Sequence, residues 1–214
     1  MSTAQTLSLE RKIKMHEARE AIFDRLAQAP SSMIDLDRFL RAVVTQLGRM
    51  MDADRCDVIQ LASETELRIS HEWRASDDVP SSEGVAIPLD LRELAERVDL
   101  TQPIRLDDTS APGLDQKVRF LAESLQTRSL LVVPVVLGNE VLGLVGLHTT
   151  RAPRTWLDDE VSFLQSIARQ IAVGYQYTRL YTDLQREAQT TSALLEIANA
   201  LNARSNFGEV TSLV

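Results

Sequence analysis

His71 is the first side chain in this sequence whose type and position could do chemistry. It lies in an alternating stretch, 67–74, in which apolar residues occupy the neighbouring positions on its own side. We expect one strand face to carry Leu67, Ile69, His71 and Trp73, with the imidazole pointing inward. There it could bind haem iron or hydrogen-bond a small ligand. The alternative is a core histidine whose ring nitrogens are satisfied by the protein itself.

Two adjacent carboxylates and one thiol are the other candidates for chemistry. Asp107 and Asp108 could do acid–base work or hold a divalent cation, or they could cap the turn that follows them. The single cysteine, Cys56, cannot form a disulfide within the chain. His148 ends a strand pattern, and we interpret it as a polar residue at a strand edge. Because no nucleophile and base can be paired, we predict no catalytic residues, no metal site and no enzymatic activity.

The charge and glycine content argue against several classes of function. The chain has 214 residues, 23 of them basic and 31 acidic, and its net charge of −8 without a basic stripe argues against a nucleic-acid partner. Its 8 glycines form neither a GxGxxG motif nor a Walker-type phosphate loop. The longest apolar run, 130–136, is too short to cross a bilayer, and 1–14 does not resemble a secretory signal. We expect a cytoplasmic protein without a membrane partner.

The order of helical and alternating patterns predicts an α+β fold. Apolar residues spaced three to five apart predict a helix over 7–29, ended by Pro30, and a second helix over 35–51. Gly138-Asn139 is typical of a tight turn between antiparallel strands. The other predicted elements are strands at 56–62, 67–74, 103–106, 130–137 and 141–148, and helices at 90–98, 115–125 and from 157 onward.

The helix predicted from Leu157 is too long for the domain in which it begins. Its apolar stripe runs in steps of three and four residues to Tyr175, and a second stripe continues from Leu180 to Ala198. A helix reaching Asn202 would span roughly 70 Å, against roughly 40 Å for a compact domain of about 150 residues. We expect the projecting half to pair with the same helix of a second chain, giving a homodimer. The alternative is a tail that frays or folds back as a helical hairpin.

A short internal similarity predicts how the protein continues. Apolar residues at 207, 210 and 214 repeat the spacing of those at 36, 39 and 43, and in both places a short polar break precedes them. We interpret 206–214 as the start of a second copy of the same domain. The 214 residues would then be a piece of a longer protein.

The closing part of the chain resembles a GAF domain. The resemblance is carried by SLLVVPVVLGNEVLGLVGL and RTWLDDEVSFLQSIARQIAVGY, where 129–134, the Gly138-Asn139 turn, Gly143 and the Asp159-Glu160 helix start match the family pattern. It covers 34–181 and implies a PAS-like antiparallel sheet flanked by helices, with long N- and C-terminal signalling helices. The implied divisions are an N-terminal helix at 1–30, the GAF domain at 31–181, a signalling or coiled-coil helix at 182–205 and the possible second repeat at 206–214.

The resemblance also implies a sensory role. Such domains are typically sensory or dimerising modules that signalling helices join to an output domain, such as a histidine kinase, cyclase, phosphatase or ATPase. We expect a small molecule, bound between sheet and loops, to change the packing of the dimeric helix that leads to this output. The residues expected to line the site are His71, Trp73, Asp107, Phe120 and Val133. The alternative is a domain that binds no ligand and only dimerises or spaces its neighbours.

The sequence leaves the ligand and any cofactor unidentified, but it disfavours three known kinds of GAF chemistry. Bilin-binding relatives attach their pigment through a pocket cysteine, whereas Cys56 begins the first strand. The pattern of cyclic-nucleotide-binding relatives has an Asn-Lys pair at the position where this chain has Thr150-Arg151. Relatives that reduce free methionine sulfoxide need several cysteines, and this chain has one.

Overall fold

The structure is a computed structural model that describes residues 33–63, 65–88, 99 and 101–211, together with Ile13, Glu17 and Glu20. Those three single positions are helical. The rest of the helix predicted at 7–29, and all of the helix predicted at 90–98, lie outside the described residues.

Helices and strands follow one another in the described residues much as the sequence predicts. The helices are α1 (Met33–Met50), α2 (Gln116–Ser124) and α3 (Asp158–Thr211). The strands are β1 (Arg55–Ser63), β2 (Glu66–Arg74), β3 (Ala86–Pro88), β4 (Ile104–Leu106), β5 (Ser129–Leu137) and β6 (Glu140–Thr149). The predicted α+β class and the β5–β6 hairpin are therefore confirmed. Gly138 has a φ of +62° in that turn, a conformation that glycine adopts without steric cost.

The strands form one six-stranded antiparallel sheet. Their order is β3-β2-β1-β6-β5-β4, so β1 and β6 lie side by side at the centre. Successive side chains of a strand point to opposite faces, and neighbouring strands in register share the same alternation. The sheet therefore has two distinct faces that carry different side chains.

The helices α1 and α3 cover one side of the sheet, which we call the helix face. α1 forms here because its apolar residues recur every three or four positions and make one stripe along it. The stripe packs with α3 and the inward residues of β1, β5 and β6 in one continuous core. Its buried members include Leu36, Leu40, Val43, Leu47, Cys56, Val58, Val133, Val145, Leu147, Leu164, Ile167 and Ile171.

A β-bulge in β2 changes which residues face the helices. Val58 of β1 lies opposite His71, but the next residue, Ile59, lies opposite Ile69, so Ser70 is the extra residue. On the two sides of Ser70, odd-numbered residues of β2 therefore point to opposite faces of the sheet. Trp73 packs against the core of the helix face, whereas Ile69 belongs to a second buried cluster with Ile59. The prediction that Leu67, Ile69, His71 and Trp73 share one face is therefore wrong, because a one-residue insertion moves later side chains to the other face.

α3 runs unbroken for 54 residues, about 81 Å at 1.5 Å per residue. It begins where the Glu160 carboxylate accepts from the backbone N–H of Leu157 at 2.9 Å, which is one half of a capping box. The helix continues past Tyr181, so the predicted long C-terminal helix is confirmed. None of the helices described is long and apolar enough to span a membrane.

Candidate ligand-binding face

The side of the sheet opposite α1 and α3 carries the chemically distinctive residues, and we call it the loop face. Cys56 and Val58 of β1 point into the core of the helix face. Asp57 and Ile59, which alternate with them, therefore point to the loop face. On β6 the same alternation sends Val145 and Leu147 to the helices and leaves Gly146 and His148 on the loop face.

Three ionisable side chains meet on the loop face where β1 begins and β6 ends. Arg55, Asp57 and His148, which we call the polar cluster, are 0%, 1% and 5% exposed. His148 Nε2 lies 3.0 Å from Asp57 Oδ2, and Arg55 Nε lies 3.8 Å from the same oxygen. Buried charges are rare unless they are paired, so the positive guanidinium and the negative carboxylate balance one another here.

Arg55 also holds the segments that cover this face. Its guanidinium donates to the carbonyl oxygens of Leu125 at 3.1 Å and Pro80 at 3.4 Å, and to Thr127 Oγ1 at 2.9 Å. These acceptors belong to the loop before β3 and to the connection between α2 and β5. The central strand is thereby tied to both covering segments by one side chain.

Several atoms of the polar cluster have no well-directed hydrogen bond within the described part of the chain. They are Arg55 Nε, both carboxylate oxygens of Asp57 and both ring nitrogens of His148. The 3.0 Å contact between Asp57 and His148 is close but not aligned along a ring N–H, so it counts as an ion-pair distance rather than a hydrogen bond. A buried carboxylate without donors is costly, and a donor supplied by a bound molecule would remove that cost.

Gly146 makes room for the polar cluster. A Cβ at this position would lie 2.6 Å from Asp57 Oδ1 and 2.6 Å from His148 Nε2. Both side chains therefore converge over the β6 backbone, and any larger residue would push them apart. The absence of a side chain at Gly146 is therefore what lets Asp57 and His148 meet.

Glu72 and Arg74 of β2 also lie on the loop face, paired at 3.3 Å, and the rest of this face is mainly apolar. Ile59, Leu67, Ile69 and Ile87 are buried together there, and three partly buried leucines pack against them, namely Leu121, Leu125 and Leu144. The loop face thus has a polar end at the polar cluster and an apolar end on β2 and β3. Such a combination of apolar walls with a few convergent polar groups is typical of small-molecule sites.

Three of the five residues expected to line a site lie on the helix face. His71 contacts Asp37 of α1 through Nε2 at 3.0 Å and Ser70 Oγ through Nδ1 at 2.9 Å, so both ring nitrogens already have partners. Trp73 lies against α1 at Gly48. Val133 is 2% exposed within the core of the helix face.

The other two expected residues lie elsewhere. The Asp107 carboxylate accepts from Arg105 Nε at 3.1 Å and from the backbone N–H of Trp156 at 3.2 Å, and the Arg105 contact is the main reason why the pKa of Asp107 is lowered. Asp107 therefore joins β4 to the segment before α3. Phe120 is 71% exposed on α2. The structure does not bring the five residues together, and their role in ligand binding stays an untested prediction.

The residues of the polar cluster were missed by sequence reasoning. Arg55 and Asp57 flank Cys56 at the start of a strand whose other residues are mainly apolar, and this was the available signal. The sequence predicts a strand-edge position for His148, but β6 is a central strand and His148 is buried. Only the pairing of β1 with β6, which sets Arg55 opposite His148, reveals the cluster.

Cys56 lies on the opposite face from the polar cluster. It is 0% exposed in the core of the helix face, and burial raises the pKa of its thiol well above the ordinary value, with Asp57 adding to the effect. The thiolate is the nucleophilic form of cysteine. A molecule bound on the loop face therefore meets no reactive thiol from this residue.

The sequence of the chain is similar to signalling proteins of cyanobacteria. It is 25% identical over 207 residues to the circadian input-output histidine kinase CikA of Thermosynechococcus vestitus, covering 87% of this chain and 28% of that protein. It is 26% identical over 110 residues to a putative methyl-accepting chemotaxis protein, sll0041, of Synechocystis, covering 51% of this chain and 11% of that protein. The chain thus spans about a quarter or less of the length of these relatives.

The fold is similar to that of solved GAF domains. The phycoerythrobilin-bound GAF domain of a cyanobacterial phytochrome superposes with a TM-score of 0.68 at 18% identity, covering 79% of this chain and 98% of that chain. At this identity the similarity establishes the fold alone. The GAF domain family matches residues 35–175, well over half of the chain. The chain belongs to the GAF domain family.

Proposed function

We propose that this GAF domain is a sensor that binds a small molecule on the loop face and relays the signal through α3 to an output domain. The observation that carries the proposal is the polar cluster, in which both Asp57 oxygens, both His148 ring nitrogens and Arg55 Nε lack well-directed hydrogen bonds. A folded protein satisfies nearly all of its buried polar groups, and exceptions call for an explanation. A ligand that donates to Asp57 is such an explanation.

The loop face favours an amphipathic ligand. One end would present N–H or O–H donors to the Asp57 carboxylate, and a flat apolar part would lie against Ile59 and Ile69. The similar GAF domain from a cyanobacterial phytochrome is bound to phycoerythrobilin, a molecule with this combination of groups. In this chain the ligand would be held without a covalent bond, because Cys56 is buried on the helix face.

The central strands provide the route from ligand to helix. β1 and β6 carry the polar cluster on the loop face, while their alternate residues, including Val58 and Leu147, pack in the core with α3. A ligand that shifts these strands would therefore change the surface on which α3 rests. The relatives are a histidine kinase and a chemotaxis protein, which supports an output domain in a longer signalling protein.

Homodimerisation through α3 is the second part of the proposal. Leu180, Leu184 and Leu195 are 55%, 56% and 60% exposed. At about 100° per residue they lie within one stripe, roughly opposite Ile171 and Tyr175, which face the core. The α3 of a second chain has the matching stripe and would bury both.

A thermal-shift experiment tests the ligand proposal. The probes are biliverdin, haem and flavin mononucleotide, each added to the purified chain, with native mass spectrometry of the protein as purified. Saturation at about 100 times Kd stabilises a protein by about 2.7 kcal/mol, which raises Tm by roughly 5–10 °C at this size. We expect at least one probe to do so.

The matched variants are Asp57→Asn in the polar cluster and Asp183→Asn on the exposed side of α3. Asp57→Asn should reduce the probe-induced shift, since it weakens the acceptor, whereas Asp183→Asn should leave the shift unchanged. If no probe raises Tm and the purified protein carries no bound molecule, the domain is instead a spacer that binds no ligand.

A further inference from the structure

The hydroxyl of the bulge residue Ser70 lies within hydrogen-bond distance of two possible acceptors but has only one proton to donate. Its Oγ is 2.9 Å from His71 Nδ1 and 3.1 Å from the carbonyl oxygen of Val58. His71 Nε2 is 3.0 Å from Asp37 Oδ1 on α1. Three elements, β1, β2 and α1, are thus connected through one hydroxyl and one imidazole.

The protonation state of His71 decides where the Ser70 proton goes. In the neutral ring, Nε2–H donates to Asp37, because a carboxylate can only accept, and Nδ1 accepts from the Ser70 hydroxyl. The carbonyl of Val58 then receives no hydroxyl proton. In the protonated ring, Nδ1–H donates to Ser70 Oγ, and the hydroxyl turns to Val58. Each state therefore satisfies a different set of groups at the bulge.

The charged groups around His71 come from α1 and from the loop before β3. Asp37 and Arg41 lie on α1, and Glu83, in the loop before β3, bonds to Arg41 at 3.2 Å. Opposite His71 on β1 lies Val58, which does not titrate. Burial is the main influence and lowers the pKa of His71 below its ordinary value, while Asp37 acts in the opposite direction. His71 is therefore neutral at neutral pH and takes up its proton only under acidic conditions.

We propose that Ser70, His71 and Asp37 form a proton-operated switch that adjusts how β2 holds α1. Proton uptake moves the Ser70 hydroxyl from the imidazole to the Val58 carbonyl and places a buried positive charge against the first turns of α1. This inference goes beyond the proposed ligand binding and does not depend on it. The switch acts on the helix face, whereas the polar cluster lies on the loop face.

The sign of the stability change follows from the lowered pKa. A histidine with a lower pKa in the folded state binds fewer protons there than in the unfolded chain, so its contribution is fully present above the unfolded pKa of about 6.5. That contribution is lost as the pH falls from about 6.5 through the folded pKa. Acidification below about pH 6.5 should therefore loosen the attachment of α1.

NMR titration of the isotope-labelled chain tests the switch directly. We expect the neutral His71 ring to carry its proton on Nε2, and the ¹³C shift of the Val58 carbonyl to follow the His71 titration with the same midpoint. In Ser70→Ala the His71 ring should still titrate while the Val58 carbonyl no longer follows it. A proton on Nδ1 in the neutral ring, or a Val58 carbonyl indifferent to the titration in the unaltered chain, would overturn the proposal.

Urea unfolding provides the second readout. On acidification from about pH 7 to about pH 5, the unfolding midpoint of the unaltered chain should fall further than that of His71→Gln. His16→Gln is the control, because it removes a histidine that belongs neither to the switch nor to the polar cluster, and it should retain the steeper fall that His71 causes. Equal falls in the unaltered chain and His71→Gln would contradict the switch. Neither experiment involves a ligand, so a failure here leaves the ligand proposal unaffected.

Discussion

At the scale of single residues, Arg55, Cys56 and Asp57 show how orientation decides chemistry. The three are consecutive at the start of β1 and all are fully or almost fully buried. Cys56 points into an apolar core, where its thiol is kept protonated, while its neighbours meet His148 on the other side. Burial therefore makes the Cys56 thiol unreactive, and it also brings the charged groups of Arg55 and Asp57 together on the opposite face.

The burial of Cys56 predicts that its thiol is unreactive in the folded protein. With the disulfide reagent DTNB, the native chain should react at least about 10³-fold more slowly than the chain in urea, because only unfolded molecules expose the thiolate. The absorbance of released thionitrobenzoate measures both rates. Rapid labelling of one thiol per native chain would contradict the burial of Cys56.

At the scale of elements, close contacts between helix and sheet fix the position of α1. Gly48 lets the helix approach β2 so that the Trp73 ring lies directly against the helix backbone. The bulge at Ser70 is what directs Trp73 and His71 towards α1 rather than to the loop face. Register and helix packing are therefore coupled: without the bulge, the aromatic ring and the imidazole would leave α1.

Gly48→Ala should destabilise the fold by up to about 2 kcal/mol. A Cβ at this position would lie 1.9 Å from Trp73 Cε3, so the ring would have to move, at a cost of about 1–3 kcal/mol that exceeds the gain of about 1 kcal/mol in helix propensity. Gly174→Ala in α3 is the control, since its Cβ would lie 3.4 Å from Phe39 Cε1. Urea unfolding measures both, and equal stabilities of the two variants would refute this packing.

At the scale of the whole molecule, α3 is a rod with two parts: the first packs in the core of the domain, and the second is exposed. Its first part buries Leu164, Ile167 and Ile171 in the core, whereas 183–197 is exposed throughout. An exposed stripe of leucines on such a rod is costly in water. Pairing of two rods would remove that cost, and in the proposed sensor it would place two output domains side by side.

Substitution of the stripe should dissociate the proposed dimer. Leu184→Lys combined with Leu195→Lys introduces charges into the stripe and should give a monomer in sedimentation equilibrium at tens of micromolar. Ala193→Lys is the matched control, because it adds a lysine to an exposed position about 180° away around α3 and should stay dimeric. A monomeric unaltered chain under the same conditions would refute the homodimer.

Local patterns determined the elements of this protein, and packing determined its candidate site. The spacing of apolar residues is a property of consecutive residues, so α1, the β5–β6 hairpin at Gly138-Asn139 and the long α3 could all be predicted. The bulge at Ser70 could not, because an extra residue is defined only against the strand opposite, and His71 is therefore wrongly grouped with Leu67 and Ile69, which lie on the other face. Likewise, Asp57 and His148 are far apart in the sequence and meet only because β1 pairs with β6.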